Sequence, residues 1–385
     1  MAAASRSGLR KFWFQIHKWI GILLVVLLIP LSLSGAALVW GNALDRVINP
    51  QRYAVSGPAT LPPSAYVAAA AKVLKPGERI ASLRYPEGSG PVVVSAARAE
   101  PGGAAKAAPR RGGPPVRTNV WIDPANGRVL DVAASNTGVI RWLHVLHGSF
   151  LIPGVGRQIV GWLGVAMFLS CVSGLWLWWP SVGRWTRGLR WRRGRDLETN
   201  LHHQAGFWIA LPLAMLCFTG VWISFPAFFA ALTGAPPRAA GGPRGAAPAQ
   251  ATRLDPDAAL AAVAARDGGA PASITWPTGK EGRWRVSLKA KPGTGGGGDY
   301  DVDDAGGEVA KAPDPRGNGG IARTMRRWHD GTGMGAVWQT LIFLGGILPA
   351  LLGVTGIIMW LRTRGWRAAV ARRQRERSTT PVAAE

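Results

Sequence analysis

Four stretches of this chain run without a charged residue for long enough to cross a bilayer, which a helix spans with about 20 apolar residues. They lie at 19–44 (containing IGILLVVLLIPLSLSGAALVW), at 158–183 (containing VGWLGVAMFLSCVSGLWLWWP), between His203 and Arg238, and between Asp330 and Arg362. Pro30, Pro212 and Pro349 fall inside three of them, as kinks that membrane helices accommodate. The intervening segments follow other periods. Residues 61–132 read as a helix (PPSAYVAAAAKVL), a strand entering SLRYP, an alternating strand, and a hairpin around WIDPANGRV. Residues 254–310 read in the same order, through DPDAALAAVAA, SITWP, GRWRVSLKA and DVDDAGGEV. The predicted fold is membrane α-helical: four transmembrane helices forming a bundle, with two α+β exterior domains in an internal duplication.

The division that follows assigns 1–44 to an N-terminal tail and first membrane helix, 45–140 to the first exterior domain and 141–183 to the second helix. A basic cytoplasmic loop (184–203), a third helix (204–234), the second exterior domain (235–327), a fourth helix (328–361) and a basic cytoplasmic tail (362–385) complete it. Gly/Pro/Ala-rich stretches at 99–116, 235–251 and 292–298 read as insertions and linkers.

Composition changes the picture in two places. A net charge of +24 invites a nucleic-acid reading, but 48% hydrophobic and 17% charged residues do not suit a soluble basic fold. The N-terminal tail, the loop from Arg184 to Arg195 and the tail from Arg362 to Arg377 hold 17 basic residues; the cytoplasmic segments hold four acidic ones. That asymmetry is a topology signal, placing both termini of a multi-pass membrane protein in the cytoplasm, with membrane lipid as a partner and no nucleic acid. Small residues after the first apolar run also permit a cleaved signal peptide there. Its match to the third helix favours a retained span. Two cysteines, Cys171 and Cys217, exclude a disulfide framework, a zinc ribbon and an iron–sulfur cluster.

Internal spacing is the most informative feature. In the first helix Gly35 of LSLSG follows His17 by 18 residues, and in the third Gly220 of LCFTG follows His202 by 18. Gly174 of CVSG follows His147 by 27, and Gly356 of GVTG follows His329 by 27. Asp123 and Gly127 of one hairpin match Asp303 and Gly307 of the other. Asp301, Asp303 and Asp304 suggest a calcium site at first sight, but this match makes them a turn.

All six histidines sit at predicted helix ends: His17, His202 and His203 at one side, His144, His147 and His329 at the other. A single interfacial His is equally a headgroup contact or a helix cap. Equivalent positions of duplicated helices face each other across a bundle, however, so His17 is expected opposite His202 and His147 opposite His329. Two neutral imidazoles so placed suit axial ligation of a haem iron. His144, three residues before His147, is an alternative ligand or a supporting group, and zinc or copper is the competing cofactor. Eighteen residues make five whole turns, which puts Gly35 on the face of His17 about 27 Å along the axis. There the glycines either admit a flat macrocycle or let helices pack closely. Most tryptophans lie near predicted interfaces as an aromatic belt; Trp176, Trp178, Trp179 and Trp360 are also candidates to pack on a porphyrin.

FQIHKWIG, RWLHVLHGSFL, LHHQAGFW and RRWHDGTG, with YP and DPANGRV in the first exterior domain, resemble the PepSY-associated transmembrane family over nearly the whole chain. The resemblance implies PepSY-like exterior domains and, by similarity to bacterial iron-uptake membrane proteins, a ferric-siderophore reductase with two b-type haems. His17, His202, His147 or His144, and His329 are then the haem ligands. It further implies a ferric siderophore or other chelate as substrate in the periplasm, and a cytoplasmic or quinol electron donor. The second half departs in its shorter exterior domain and in having no counterpart of His144. Alternatives are a haem electron-transfer or quinone-linked subunit with no iron substrate, and a non-redox assembly protein whose exterior domains bind peptides.

Overall fold

A computed structural model describes residues 2–86, 88–98, 116–179, 184–191, 194, 196–234, 248, 249, 251–278, 282–289, 298–312 and 319–379. The three predicted linkers lie almost wholly outside these residues, as do Arg192, Arg193 and Arg195 of the basic loop. In chain order the elements are α1 (Ala2–Val39), α2 (Gly41–Ile48), α3 (Pro63–Ala71), β1 (Glu78–Arg84), β2 (Val92–Arg98), β3 (Arg117–Ile122), β4 (Val129–Ala134), α4 (Val139–Ser149) and α5 (Gly156–Trp178). There follow α6 (Leu197–Ser224), α7 (Pro226–Leu232), α8 (Pro256–Ala264), β5 (Pro271–Thr275), β6 (Arg283–Leu288), β7 (Gly298–Asp303), β8 (Val309–Lys311), α9 (Gly319–Asp330) and α10 (Gly335–Thr379). They divide into two compact units. One comprises Met1–Trp40, Leu143–Phe229 and Gly320–Glu385, the other Gly41–Trp142 and Ala230–Gly319.

The first unit is a membrane bundle. Four of its helices, α1, α5, α6 and α10, are long and apolar enough to span a bilayer. α1 packs on α5 and α10, and α6 packs on the same two, so α1 stands diagonally opposite α6. Large apolar side chains point away from the bundle, with Leu211 79% and Val337 88% exposed, as suits a lipid solvent that gives no hydrophobic drive to helix association. Glycines make the contacts instead. A methyl on Gly346 would meet Ala36 at 2.7 Å, one on Gly353 would meet Val25 at 2.8 Å, and one on Gly164 would meet Val221 at 2.9 Å.

Several boundaries differ from the sequence reading: α6 already begins at Leu197, inside the segment read as a basic loop, and ends at Ser224. α1 and α10 continue well beyond the bilayer-crossing stretch, through the N-terminal tail and the basic C-terminal tail. The segments read as the starts of the second and fourth spans are separate short helices, α4 and α9. Chain breaks explain this: Phe150 and Leu151 turn to positive φ (50° and 61°) ahead of Pro153 and Gly154, and Gly331 and Gly333 take φ of 73° and 70° after Asp330. A right-handed helix cannot continue through residues of positive φ.

In the second unit the two exterior segments share one eight-stranded antiparallel sheet, ordered β4-β3-β2-β1-β5-β6-β7-β8. SLRYP and SITWP meet at its centre, with Leu83 opposite Ile274. Both side chains are fully buried, each contributing about 1.5–3 kcal/mol. α3 and α8 lie together against this sheet, sharing one core with Tyr66, Val94, Val263 and Trp284. The hairpin match is borne out in detail: Asp123 N–H donates to Arg128 O and Gly127 N–H to Asp123 O, as Asp303 does with Glu308 and Gly307 with Asp303. Gly127 and Gly307 take φ of 74° and 69°, which favours glycine.

The carboxylates have diverged. Asp123 accepts from Ser56 N–H and Oγ and from Ala125 N–H. In the other half Asp304 takes the equivalent task, accepting from Arg253 and Leu254 N–H and from Trp284 Nε1. Burial works to raise each carboxyl, but these hydrogen bonds outweigh it and hold both below the usual carboxylate range. Asp301 pairs with Arg285 at 2.8 Å, and Asp303 caps its own turn. All three acids of the apparent calcium motif are thereby committed within the protein.

Candidate paired-histidine site

At one end of the bundle His17 of α1 faces His202 of α6 across the diagonal, ring centres 6.3 Å apart and planes at 87°. At the other, His147 of α4 faces His329 of α9, centres 6.1 Å apart and planes at 39°. His144 is exposed on α4 and does not join that pair. His203 turns aside, its Nδ1–H donating to Thr199 O at 2.7 Å.

Each ring rests on a repeat glycine of a neighbouring helix: His147 on Gly35, His17 on Gly174, His329 on Gly220 and His202 on Gly356. A methyl added at these glycines would stand 2.6, 3.0, 3.2 and 3.4 Å from the respective Cε1 atoms. These glycines therefore seat imidazoles; the close helix contacts belong to a different set of glycines.

A missing side chain also exposes the carbonyl four residues earlier, and three of the rings use it. Nδ1 of His147 is 2.8 Å from Leu31 O, Nδ1 of His17 is 3.1 Å from Ser170 O, and Nδ1 of His329 is 3.2 Å from Leu216 O. Nδ1 of His202 instead meets Thr355 Oγ1 at 3.0 Å, a hydroxyl that itself donates to Leu351 O and Leu352 O and so accepts here. Leu31, Ser170 and Leu216 each precede their glycine by four. A carbonyl oxygen only accepts, as this hydroxyl does, so the proton of each ring sits on Nδ1 and Nε2 keeps its lone pair. This is how proteins orient an imidazole that binds metal.

The residue before each glycine is Ser34, Ser173, Thr219 or Thr355, all buried. Sequence reasoning passed over these four hydroxyls, although LSLSG, CVSG, LCFTG and GVTG display them at one fixed offset. Thr219 Oγ1 lies 3.0 Å from His329 Nδ1, Thr355 Oγ1 3.0 Å from His202 Nδ1, and Ser173 Oγ 3.2 Å from His17 Nδ1.

A profile of the PepSY-associated TM region matches residues 14–363, spanning every element of both histidine pairs. The chain belongs to that family. No curated protein matches it.

The donor set of this family member can be tested against what it would hold. Two metal–nitrogen bonds of about 2 Å, with the distance from each nitrogen to its ring centre added, separate trans imidazole centres by about 6 Å. Both pairs have that spacing. Among the described residues no cluster of three or more His, Cys, Asp or Glu forms around either pair. Two imidazoles at that spacing and no third ligand among the described residues would suit a metal whose remaining positions a planar macrocycle fills; zinc or copper would need further protein ligands. Other candidates are placed as follows. Trp178 is buried, stacked on Phe207 at 4.0 Å, while Trp176 and Trp179 are exposed. Cys171 and Cys217 are packing residues of the bundle core, beside Ile209 and Leu213.

Proposed function

We propose that this membrane protein is a di-haem b-type reductase of the bacterial inner membrane, passing electrons across it to ferric iron held in a siderophore or other chelate. The observation that carries the reading is the doubled imidazole pair, with ring centres 6.3 and 6.1 Å apart at the two ends of one bundle and each Nδ1–H committed to an acceptor on a neighbouring helix, which leaves each Nε2 to bind. Haem, when bound there, supplies reversible one-electron chemistry.

The chain's own residues do the rest. His17 and His202 hold one group and His147 and His329 the other, separated by about 27 Å along α1, as the 18 residues from His17 to Gly35 require. Gly35, Gly174, Gly220 and Gly356 fix where each ring sits. The apolar interior around Ile209 and Leu213 keeps water from the path between the pairs. Basic residues at the helix ends orient the chain with both termini cytoplasmic, so that the α1–α6 pair receives electrons from a cytoplasmic or quinol donor and the α4–α9 pair delivers them outside. One electron lost by the donor converts Fe(III) to Fe(II), and a chelate built of hard oxygen donors holds the reduced ion less tightly.

Anaerobic titration of the dithionite-reduced, desalted protein with a ferric hydroxamate chelate tests this. The reading predicts reoxidation of both haems with one Fe(II) trapped per electron. Haems that stay reduced under excess chelate would remove the reductase activity and leave an electron-transfer or quinone-linked subunit.

A further inference from the structure

The four hydroxyls before the seating glycines fall into two kinds. All four donate within their own helix: Ser34 Oγ to Pro30 O and Leu31 O, Ser173 Oγ to Ser170 O, Thr219 Oγ1 to Met215 O and Leu216 O, and Thr355 Oγ1 to Leu351 O and Leu352 O. Such back-bonding satisfies any hydroxyl in hydrocarbon. It does not explain a hydroxyl at the same offset from the glycine in all four helices.

The ring contacts supply the reason. Because each hydroxyl proton is spent on a carbonyl, its oxygen can only accept from Nδ1–H. Ser173, Thr219 and Thr355 lie where they do so, at 3.0–3.2 Å. Ser34 is the exception. Its oxygen is not hydrogen-bonded to His147; like the other three it donates to the carbonyl four residues before its glycine, here Leu31 O at 3.0 Å, which His147 Nδ1 meets at 2.8 Å, and that shared carbonyl is its only link to the ring.

We propose that these hydroxyls are positioning residues that tune the haems, the three bonded to a ring acting in the opposite sense to Ser34, an inference that rests on the di-haem reading above. An acceptor at Nδ1–H pushes electron density through the ring to Nε2 and stabilises the oxidised iron. Ser173, Thr219 and Thr355 add such an acceptor and lower the potential of their haem. Toward His147, Ser34 makes only the donation to the shared carbonyl, which weakens that acceptor with no ring bond to offset it, and so raises the potential of its haem.

The test uses Thr219→Val, Thr355→Val and Ser34→Ala in the full-length protein, with Thr219→Ser as the conservative partner. Haem content is measured first, then the midpoint potential of each haem by spectroscopically monitored titration, assigned with His17→Ala and His329→Ala. The expected results are an upward shift confined to the α4–α9 haem in Thr219→Val, an upward shift confined to the α1–α6 haem in Thr355→Val, and a downward shift of the α4–α9 haem in Ser34→Ala. Thr219→Ser keeps the wild-type value. Variants that hold two haems at unshifted potentials overturn the proposal, as does a Ser34→Ala shift of the same sign as Thr219→Val. Wild-type protein without haem would fail the underlying reading instead.

Discussion

At the α1–α6 end of the bundle the rings of His17 and His202 stand at 87°, and at the α4–α9 end those of His147 and His329 lie 39° apart, although their centres are separated by nearly the same distance, 6.3 and 6.1 Å. The spacing is common, and both pairs use one device, a glycine seat. The twist differs, and the rings are carried differently. His17 and His202 belong to long membrane-crossing helices. His147 and His329 sit near the ends of short helices whose exits, Phe150–Leu151 and Gly331–Gly333, take positive φ. The comparison teaches that the same glycine seats go with the same ring-to-ring distance, while the twist differs between rings on long helices and rings on short ones.

Removing a ring should break the comparison outright. His17→Ala and His329→Ala are each expected to lose one of two haems while keeping the signal of the other end, measured as haem per polypeptide. Loss of neither would remove the ligand assignment. Smaller and graded effects follow from the seats. Gly35→Ala puts a methyl 2.6 Å from His147 and should empty most of the α4–α9 site; Gly174→Ala and Gly220→Ala, at 3.0 and 3.2 Å, should lose part of their haem; Gly356→Ala, at 3.4 Å, should keep it. Equal retention across the four would show that the rings do not depend on these seats. The finest distinction is spectroscopic. Near-perpendicular axial rings leave two iron d orbitals almost degenerate and nearer-parallel rings split them, so the oxidised protein should show one strongly anisotropic and one rhombic low-spin signal by paramagnetic resonance. Two identical signals would mean that binding erases the difference in twist.

Much of this was legible in the sequence. The 18-residue step from histidine to glycine survives translation into structure because it is a whole number of helical turns, so one face carries both. The pairings His17–His202 and His147–His329 followed from matched spacing alone. The acceptors did not, because Leu31, Ser170 and Leu216 serve through backbone carbonyls, to which side-chain identity is silent. The break between α4 and α5 was written in FLIPG, but hydropathy runs through it without a charge and hides the turn. The central β1–β5 pairing was also hidden: alternation in SLRYP and SITWP shows a buried face but does not name the neighbouring strand, so two segments read as separate domains share one sheet.

The central claim is that one bundle holds two haems, each between a pair of histidines. Absorption spectra of the protein purified from haem-replete cells, oxidised and dithionite-reduced, with haem quantified per polypeptide, test it most directly. The account predicts a Soret band, a sharp six-coordinate low-spin spectrum on reduction, and two b-type haems per chain. A protein that is folded but carries no Soret band would contradict it.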